Sequence, residues 1–271
     1  MSETTPVGVD WSADLELIRA AAVVAGETAL GYFRKGPDVR WKNEGRSPVS
    51  EADLAANDVL KTRLLAARPD YGWLSEETDD DSSRLTRETV FVVDPIDGTR
   101  AFIAGKELWC VSVAVVCRGM PVAGVLYAPA LDELYEAVAS GDALKNGKAI
   151  SVREAAPGET LHLAAAEDTI AKLAPVYRNA VERVPHVPSL AYRLAMVADG
   201  RIDGTLVKKN SHDWDLAAAD LIVARAGGAL VDLDDKPLFY NRSTVVHGVL
   251  CAGARPILPG LIAACRSLEP H

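Results

Sequence analysis

The six residues 94–99, Asp-Pro-Ile-Asp-Gly-Thr, constrain the fold and chemistry of this chain more than any other stretch. The residues just before them, Val90–Val93, are apolar and mostly β-branched, which predicts a short buried strand. We expect the strand to end at Asp94 and Asp97, where proline and glycine enforce a turn, and Arg100–Ile103 to begin a helix. The pattern therefore predicts two carboxylates at a strand end, followed by unpaired backbone N–H groups at a helix N-terminus.

Those two features predict a metal site beside an anion site. Divalent Mg²⁺ prefers oxygen ligands, and a helix N-terminus offers unpaired donors and a positive dipole to an anion. Together they indicate phosphate chemistry. Asp and Gly are also common turn residues, so Asp97-Gly98 alone is just as typical of a plain turn. Two acids with a proline between them are a less usual pattern.

The composition narrows the classes of partner. A chain of 271 residues that is 49% hydrophobic can bury a large core. The net charge of −9 argues against a nucleic-acid polymer, because affinity for such polymers comes mostly from neutralising phosphates. No apolar run approaches the ~20 residues of a membrane span, and residues 1–10 lack a signal-peptide core. The four cysteines lack C-x-x-C spacing, so we expect reduced thiols in a cytoplasmic protein.

The predicted elements indicate an α/β (α+β) fold with two lobes. Residues 1–10 are expected to be a flexible tail, residues 11–153 an α+β lobe with the metal site, and residues 154–271 an α/β lobe packed against it as one globule. In the first lobe we expect helices at 12–33 and 50–67, a polar flap at 39–46, a strand at 71–75 and an antiparallel meander. The expected elements of the second lobe are strands at 161–166, 203–207 and 229–233 and helices at 169–183, 190–198, 215–226 and 255–266.

Three further acids, Asp53, Glu76 and Asp215, lie next to the ends of predicted helices or strands. Each of them also has an ordinary structural explanation. Ser50 with Asp53 fits a capping box. Asp215 lies in the first turn of a predicted helix, where an acid stabilises the helix dipole. Glu76 follows a strand, as Asp94 does, although exposed acids are common there. The small residues after Asp215, Ala217–Ala219, should let this helix pack closely against neighbouring backbone.

Three motifs in order resemble the inositol monophosphatase superfamily: Ser75-Glu76-Glu77, the 94–99 hexapeptide, and Trp214–Ala218. Each is weak alone, but the ordered set is specific and spans the chain from the first helix to the last strand. The resemblance implies a layered α-β-α-β-α sandwich of the inositol monophosphatase and sugar phosphatase type. It also implies a metal-dependent phosphomonoesterase, using two or three Mg²⁺ ions with Mn²⁺ as an alternative, and sensitivity to lithium.

The resemblance also implies roles for individual residues. Metal ligands would be the side chains of Glu76, Asp94, Asp97 and Asp215 and the carbonyl of Ile96. Glu76 and Thr99 would hold the attacking water, Asp53 would help a further metal or its water, and Lys42 matches a lysine of the family's flap. Backbone N–H groups at Gly98 and Thr99 would hold the phosphoryl oxygens. Partners would then be a small phosphorylated substrate, no nucleic-acid polymer and no membrane, for a monomer or homodimer.

Three branches of the superfamily compete for the substrate. Thr99–Ile103, Val125–Pro129 and Ser189-Leu190 are similar to the 3′(2′),5′-bisphosphate nucleotidase branch. The inositol branch carries an acid where this chain has Lys208. Lys208, Lys209 and Arg193 are therefore candidates to bind a second phosphate.

We expect the substrate to be adenosine 3′,5′-bisphosphate. Inositol 1-phosphate stays open, and so does histidinol phosphate, because a similar Gly-Thr segment occurs in that branch. A non-catalytic phosphate-binding protein of the same fold would have lost an acidic ligand, and here all the acidic positions are present.

Overall fold

The computed structural model of the chain describes residues 9–42, 47–156 and 158–266. Most of the expected tail at 1–10 lies outside the described residues, as does the tip of the flap at 43–46. Within the part that is described, no helix is both long enough and apolar enough to cross a membrane.

Three helices and nine strands lie in residues 9–42 and 47–149 of the described chain. The helices are α1 (Ser12–Leu30), α2 (Glu51–Ala67) and α3 (Thr99–Ile103). The strands are β1 (Val39–Lys42), β2 (Ser47–Ser50), β3 (Gly72–Ser75), β4 (Thr89–Asp97), β5 (Cys110–Cys117), β6 (Met120–Ala128), β7 (Glu133–Val138), β8 (Leu144–Lys145) and β9 (Lys148–Ala149). A 3₁₀ turn, Ser82–Thr86, precedes β4.

Residues 158–266, the described part of the second half, add seven strands and five helices. The strands are β10 (Leu161–Ala164), β11 (Val181–Arg183), β12 (Gly204–Val207), β13 (Ser211–His212), β14 (Gly228–Asp232), β15 (Val246–His247) and β16 (Leu250–Ala254). The helices are α4 (Glu167–Lys172), α5 (Pro175–Arg178), α6 (Leu190–Ala198), α7 (Asp213–Arg225) and α8 (Leu258–Arg266), the last preceded by a 3₁₀ turn at Arg255–Ile257.

Two main sheets organise these elements. Strands β3 to β9 form a seven-stranded sheet in chain order, in which the β3–β4 pair is parallel and the others are antiparallel. The second sheet is mixed, with strand order β11-β10-β12-β16-β14. Two small antiparallel pairs, β1–β2 and β13–β15, lie outside them. The antiparallel meander of the first half and the α/β character of the second are therefore confirmed.

The elements stack in five layers. Helices α1 and α2 cover one face of the seven-stranded sheet, whose strand residues alternate between two hydrophobic clusters. Helices α6 and α7 fill the space between the two sheets, and α8 covers the far face of the second sheet. The expected α-β-α-β-α sandwich is confirmed. The boundary predicted at 153/154 falls in the segment joining the two sheets, and the division into lobes stays a prediction.

Strand β4 runs through Asp94 and Pro95 and ends at Asp97, so both acids lie at the strand end as expected, and the turn follows at Gly98. Asp94 is opposite Ser112 and Asp97 is opposite Cys110, so β4 contains one more residue than β5 over this stretch. Residues three apart in a regular strand point to opposite faces, and the extra residue of this β-bulge lets both acids reach one side.

The expected helix at 169–183 is wrong. The chain forms two short helices, α4 and α5, and then strand β11. Pro175 explains the break, because a proline pushes the preceding residue out of the helical region. Ala174 accordingly has extended geometry, with φ −55° and ψ 146°.

Helix α7 lies very close to the backbone of β6, as its alanines predicted. A Cβ atom built on Gly124 would lie 2.9 Å from the carbonyl oxygen of Ala218 and 3.0 Å from its Cα. Both atoms belong to backbone and cannot rotate away. The Gly124–Ala218 contact therefore fixes how closely α7, which carries Asp215, approaches the first sheet.

We predict that Gly124→Ala destabilises the protein by about 1–3 kcal/mol, because overpacking at a backbone contact forces α7 to shift. For a chain of this size, we expect the melting temperature to fall by several degrees. Gly248→Ala is the matched control, since a Cβ there meets no atom within 4 Å. Equal melting temperatures for the two variants would contradict the close-packing account.

Candidate active site

Carboxylates from three separate segments meet in one cleft. Oxygen atoms of Glu76, Asp94 and Asp215 all lie within 4.8 Å of one another, and Asp97 lines the same cleft of about 400 Å³. Asp94 and Asp97 are only 1% and 7% exposed, so their charges have little access to water. Glu76, Asp94 and Asp97 come from the carboxyl ends of the neighbouring strands β3 and β4, and Asp215 comes from helix α7.

The parallel pairing of β3 with β4 brings Glu76 next to Asp94. Ser75 is opposite Val93, so Glu76 and Asp94, the residues that follow them, lie side by side near the carboxyl ends of the two strands. The Glu76 N–H donates to the Val93 carbonyl at 3.2 Å, which holds the end of β3 against β4. Ser75 Oγ donates to Asn57 Oδ1 at 2.7 Å, and this bond ties the same strand end to α2.

Asp97 is held by the start of α6. Its Oδ2 accepts a hydrogen bond of 2.6 Å from Ser189 Oγ and another of 2.5 Å from the Ala191 N–H. Ser189 also caps α6 by accepting from the Tyr192 N–H at 3.0 Å. Gly98 follows with φ +97°, and a Cβ there would lie 3.2 Å from the Leu108 carbonyl. The glycine is therefore required where the chain turns from β4 into α3.

Asp215 is fixed at the N-terminus of α7. Its Oδ2 accepts from the His212 N–H at 2.7 Å, which satisfies a donor that the helix cannot pair internally. The neighbouring Asp213 accepts from His247 Nε2 at 2.8 Å, assigned here as the protonated nitrogen, and from the Asn241 N–H at 2.8 Å. Ser112 Oγ donates to the Trp214 carbonyl at 3.1 Å. These bonds anchor the helix end to both neighbouring layers.

Burial and mutual repulsion raise the pKa values of the acids. Burial is the main cause of the raised pKa of Asp94, followed by the charges of Glu76, Asp97 and Asp215. The pKa of Asp97 is raised to about 7, again by burial first and then by Asp215. A cation between the carboxylates would remove this penalty, because an opposite charge favours the ionised form.

Asp53 connects α2 to the central motif. Its Oδ2 accepts from the Ser50 N–H at 2.8 Å and from Ser50 Oγ at 2.6 Å, as the capping-box pattern predicted. Its Oδ1 lies 3.1 Å from Thr99 Oγ1, which lies 3.1 Å from the Ile96 carbonyl as well. The single hydroxyl proton of Thr99 therefore has two acceptors on the cleft side of β4. Burial raises the pKa of Asp53, despite the bonds from Ser50.

The donor set fits a hard divalent cation. The atoms gathered in the cleft are carboxylate oxygens with the Ile96 carbonyl nearby, and Mg²⁺ and Mn²⁺ prefer such ligands. The nearest cysteine, Cys110, is buried behind Asp97 with its Sγ 3.6 Å from Ser189 Oγ. Burial raises the pKa of its thiol well above the ordinary value, which disfavours a thiolate ligand.

Basic side chains line the same cleft, and we call them the basic wall. They are Arg100, Lys106 and His186, which line the cleft together with the four acids. The pKa of His186 is lowered, first by burial and then by the charges of Arg193 and Lys106. The cleft thus combines an acidic floor with a basic wall, which suits a substrate that carries more than one anionic group.

Two of the cations proposed from sequence, Lys208 and Lys209, lie away from this cleft. Lys208 Nζ forms an exposed ion pair with Asp168 at 2.9 Å, and neither Lys208 nor the exposed Lys209 lines the cleft. Arg193 lies behind the basic wall, one helical turn after Ser189, and burial lowers its pKa. The backbone of Lys42 lies in β1 of the flap, and its side chain falls outside what is described.

Sequence reasoning missed Ser189, Lys106 and His186 as site residues. A helix cap at Ser189 could have been read from the sequence, but not its bond to Asp97, because 92 residues separate the two. Lys106 and His186 belong to loops without motif-like spacing. Only the folded chain brings them together.

Comparison with known proteins agrees with this geometry. Residues 10–269 match the model of the inositol monophosphatase family. An inositol-1-monophosphatase of Mesorhizobium japonicum is 33% identical over 247 residues, covering 88% of this chain and 92% of that protein. A histidinol-phosphatase of Chlorobaculum parvum is 32% identical, covering 87% and 89%. The 3′(2′),5′-bisphosphate nucleotidase CysQ of Aggregatibacter actinomycetemcomitans is 32% identical, covering 80% and 84%.

The fold matches as well. The crystal structure of the extragenic suppressor protein suhB from Bartonella henselae superposes with a TM-score of 0.81 at 28% identity, covering 95% of this chain and 100% of that one. Sequence, fold and the acidic cleft thus lead to one assignment. The chain belongs to the inositol monophosphatase family and is a phosphoric monoester hydrolase.

Proposed function

We propose that this enzyme is a Mg²⁺-dependent phosphatase that removes the 3′-phosphate of adenosine 3′,5′-bisphosphate. The observation that carries the proposal is one cleft lined by four acids and by Arg100, Lys106 and His186. Acids that bind metal serve the phosphate being cleaved, and a basic wall serves a second anionic group. Inositol 1-phosphate offers no second phosphate for this wall, and neither does histidinol phosphate.

The acids of the cleft would hold the metal ions, two or three in number. Glu76, Asp94, Asp97, Asp215 and the carbonyl of Ile96 supply only oxygen donors, as Mg²⁺ requires. When bound, the ions would neutralise phosphate charge, lower the pKa of a water and stabilise the leaving oxygen. Sensitivity to lithium stays a prediction that follows from the family resemblance.

The chain's own groups would position the reactants. Thr99 Oγ1, held between Asp53 and the Ile96 carbonyl, can accept or pass on a proton at that single oxygen. Glu76 would accept a proton from the attacking water, since its carboxylate lies beside Asp94 at the cleft. The left-handed Gly98 turns the backbone so that the N–H groups of Gly98 and Thr99 follow the metal ligands directly, where they could bind phosphoryl oxygens.

The second anionic group is the feature that separates the substrates. Lys106 and His186 project from different loops into the cleft, and Arg193 adds positive potential behind them. A phosphate held there and another at the acids would place the two groups in different parts of one cleft. Similarity to the nucleotidase CysQ supports this choice, although inositol and histidinol phosphatases are about as similar in sequence.

We predict that Asp94→Asn raises the melting temperature of the metal-free protein by a few degrees, because it removes a charge that Glu76, Asp97 and Asp215 repel. Folding raises the pKa of Asp94, so at a pH above the pKa of an unfolded aspartate this group destabilises the native state. At pH 7, replacing it with a neutral side chain therefore stabilises the folded protein. Mg²⁺ at saturation should raise the melting temperature of the parent protein by about 5 °C or more. Asp94→Asn should abolish most of this increase.

Asp220→Asn is the matched control for that experiment. Burial raises the pKa of Asp220 to about 7, and it accepts a bond from Tyr240 Oη at 2.8 Å, outside the cleft lining. This variant should keep the full Mg²⁺ effect. A full Mg²⁺-induced gain in Asp94→Asn would show that the acidic cluster is not the metal site.

We predict that the double change Lys106→Ala, His186→Ala lowers kcat/KM for adenosine 3′,5′-bisphosphate by about tenfold to a hundredfold. That range corresponds to the loss of one charge-assisted contact of about 1.5–3 kcal/mol. Turnover of adenosine 3′-monophosphate, which lacks the second phosphate, should change little. Steady-state phosphate release with both substrates measures the difference.

Lys208→Ala is the control, because its ion pair with Asp168 is exposed and outside the cleft. It should leave both substrates unaffected. Equal losses on the two substrates in the double variant would contradict a second-phosphate role for the basic wall. A parent enzyme that prefers inositol 1-phosphate would overturn the substrate assignment itself.

A further inference from the structure

An exposed tryptophan lies at the mouth of the cleft. Trp41, on strand β1 of the flap, is 57% exposed and has the largest side chain among the exposed hydrophobic residues described. The fold does not use this ring for its core, since it belongs to none of the hydrophobic clusters. The exposed indole of Trp41 offers both an aromatic face and an N–H group, the combination that makes tryptophan common at binding surfaces.

The strand register and one side-chain contact together place the Trp41 ring beside the cleft. Trp41 is directly opposite Pro48 in the β1–β2 pair, and opposed residues project from the same face of a hairpin. Pro48 lines the cleft. Arg100, which lines the cleft too, has its guanidinium carbon 5.7 Å from the centre of the Trp41 ring.

The chemistry of this pair suits a flat aromatic group. An indole ring and a guanidinium plane both stack on nucleobases, and such stacking tolerates any base because every base has a π-face. A saturated inositol ring has hydroxyl groups on its perimeter and no π-face. The pair therefore adds an aromatic recognition element that neither the metal ligands nor Lys106 and His186 supply.

We propose that Trp41 and Arg100 form the binding surface for the purine base of the substrate. This inference rests on the proposed nucleotide phosphatase function and extends it from the phosphates to the base. The base would lie at the flap, with its sugar over the central motif and its two phosphates on the acidic floor and the basic wall.

The test compares two substrates that differ only in the base: adenosine 3′,5′-bisphosphate and the methyl riboside 3,5-bisphosphate, in which a methoxy group replaces adenine. Trp41→Leu should lower kcat/KM for the nucleotide by about tenfold, within the range measured for loss of one base stack. It should leave kcat/KM for the methyl riboside within about twofold. Trp41→Phe keeps an aromatic ring and should retain most of the nucleotide activity, which also shows that the flap still folds.

Arg40→Ala is the matched control. Arg40 is exposed on the same strand, and its side chain projects from the face opposite to that of Trp41. It should affect neither substrate. Equal losses on both substrates in Trp41→Leu, or full nucleotide activity in that variant, would overturn the base-stacking role and leave the proposed function standing.

Failure of the proposed function shows in the parent enzyme instead. If the parent turns over inositol 1-phosphate or histidinol phosphate but not the nucleotide, both the substrate assignment and the base surface are wrong. If the parent hydrolyses the nucleotide and the methyl riboside equally well, the base is not recognised and only the inference about Trp41 is overturned.

Discussion

The repulsion among buried carboxylates is the constraint on which the rest of this structure depends. Four acids share a cleft, and burial together with their mutual charge raises the pKa values of Asp94 and Asp97. The fold offsets part of that cost with backbone N–H donors. These bonds run from Ile96 to Asp94, Ala191 to Asp97 and His212 to Asp215. Neutral donors cannot cancel four charges, so the arrangement favours a bound cation.

The layered fold brings these acids together. Parallel pairing of β3 with β4 places Glu76 and Asp94 side by side at the carboxyl ends of these strands, and the bulge in β4 turns Asp97 to the same side. The fourth acid arrives on α7, from the layer between the sheets. Its approach is set by the contact of Gly124 with Ala218, where any Cβ would collide with backbone. In the proposed function, substrate specificity would depend instead on Lys106, His186 and Trp41, which lie outside the acidic cluster.

Sequence reasoning succeeded where the physics is local. Ser50 with Asp53 is a pattern within one helical turn, and the alanines after Asp215 indicated close packing that the structure confirms. It failed where the outcome depends on distant residues. The bulge in β4 depends on register with β5, and the support of Asp97 by Ser189 joins residues far apart in sequence. The helix expected at 169–183 failed for a local reason, since Pro175 was a readable signal against it.

We propose that the acids of the cleft bind divalent metal. Anomalous scattering from crystals grown with Mn²⁺ tests it most directly, because manganese replaces Mg²⁺ at oxygen sites and its position is seen without assumption about activity. The account predicts anomalous peaks within about 2.5 Å of carboxylate oxygens of Glu76, Asp94 and Asp215. Peaks only elsewhere on the protein, with none in the cleft, would contradict it.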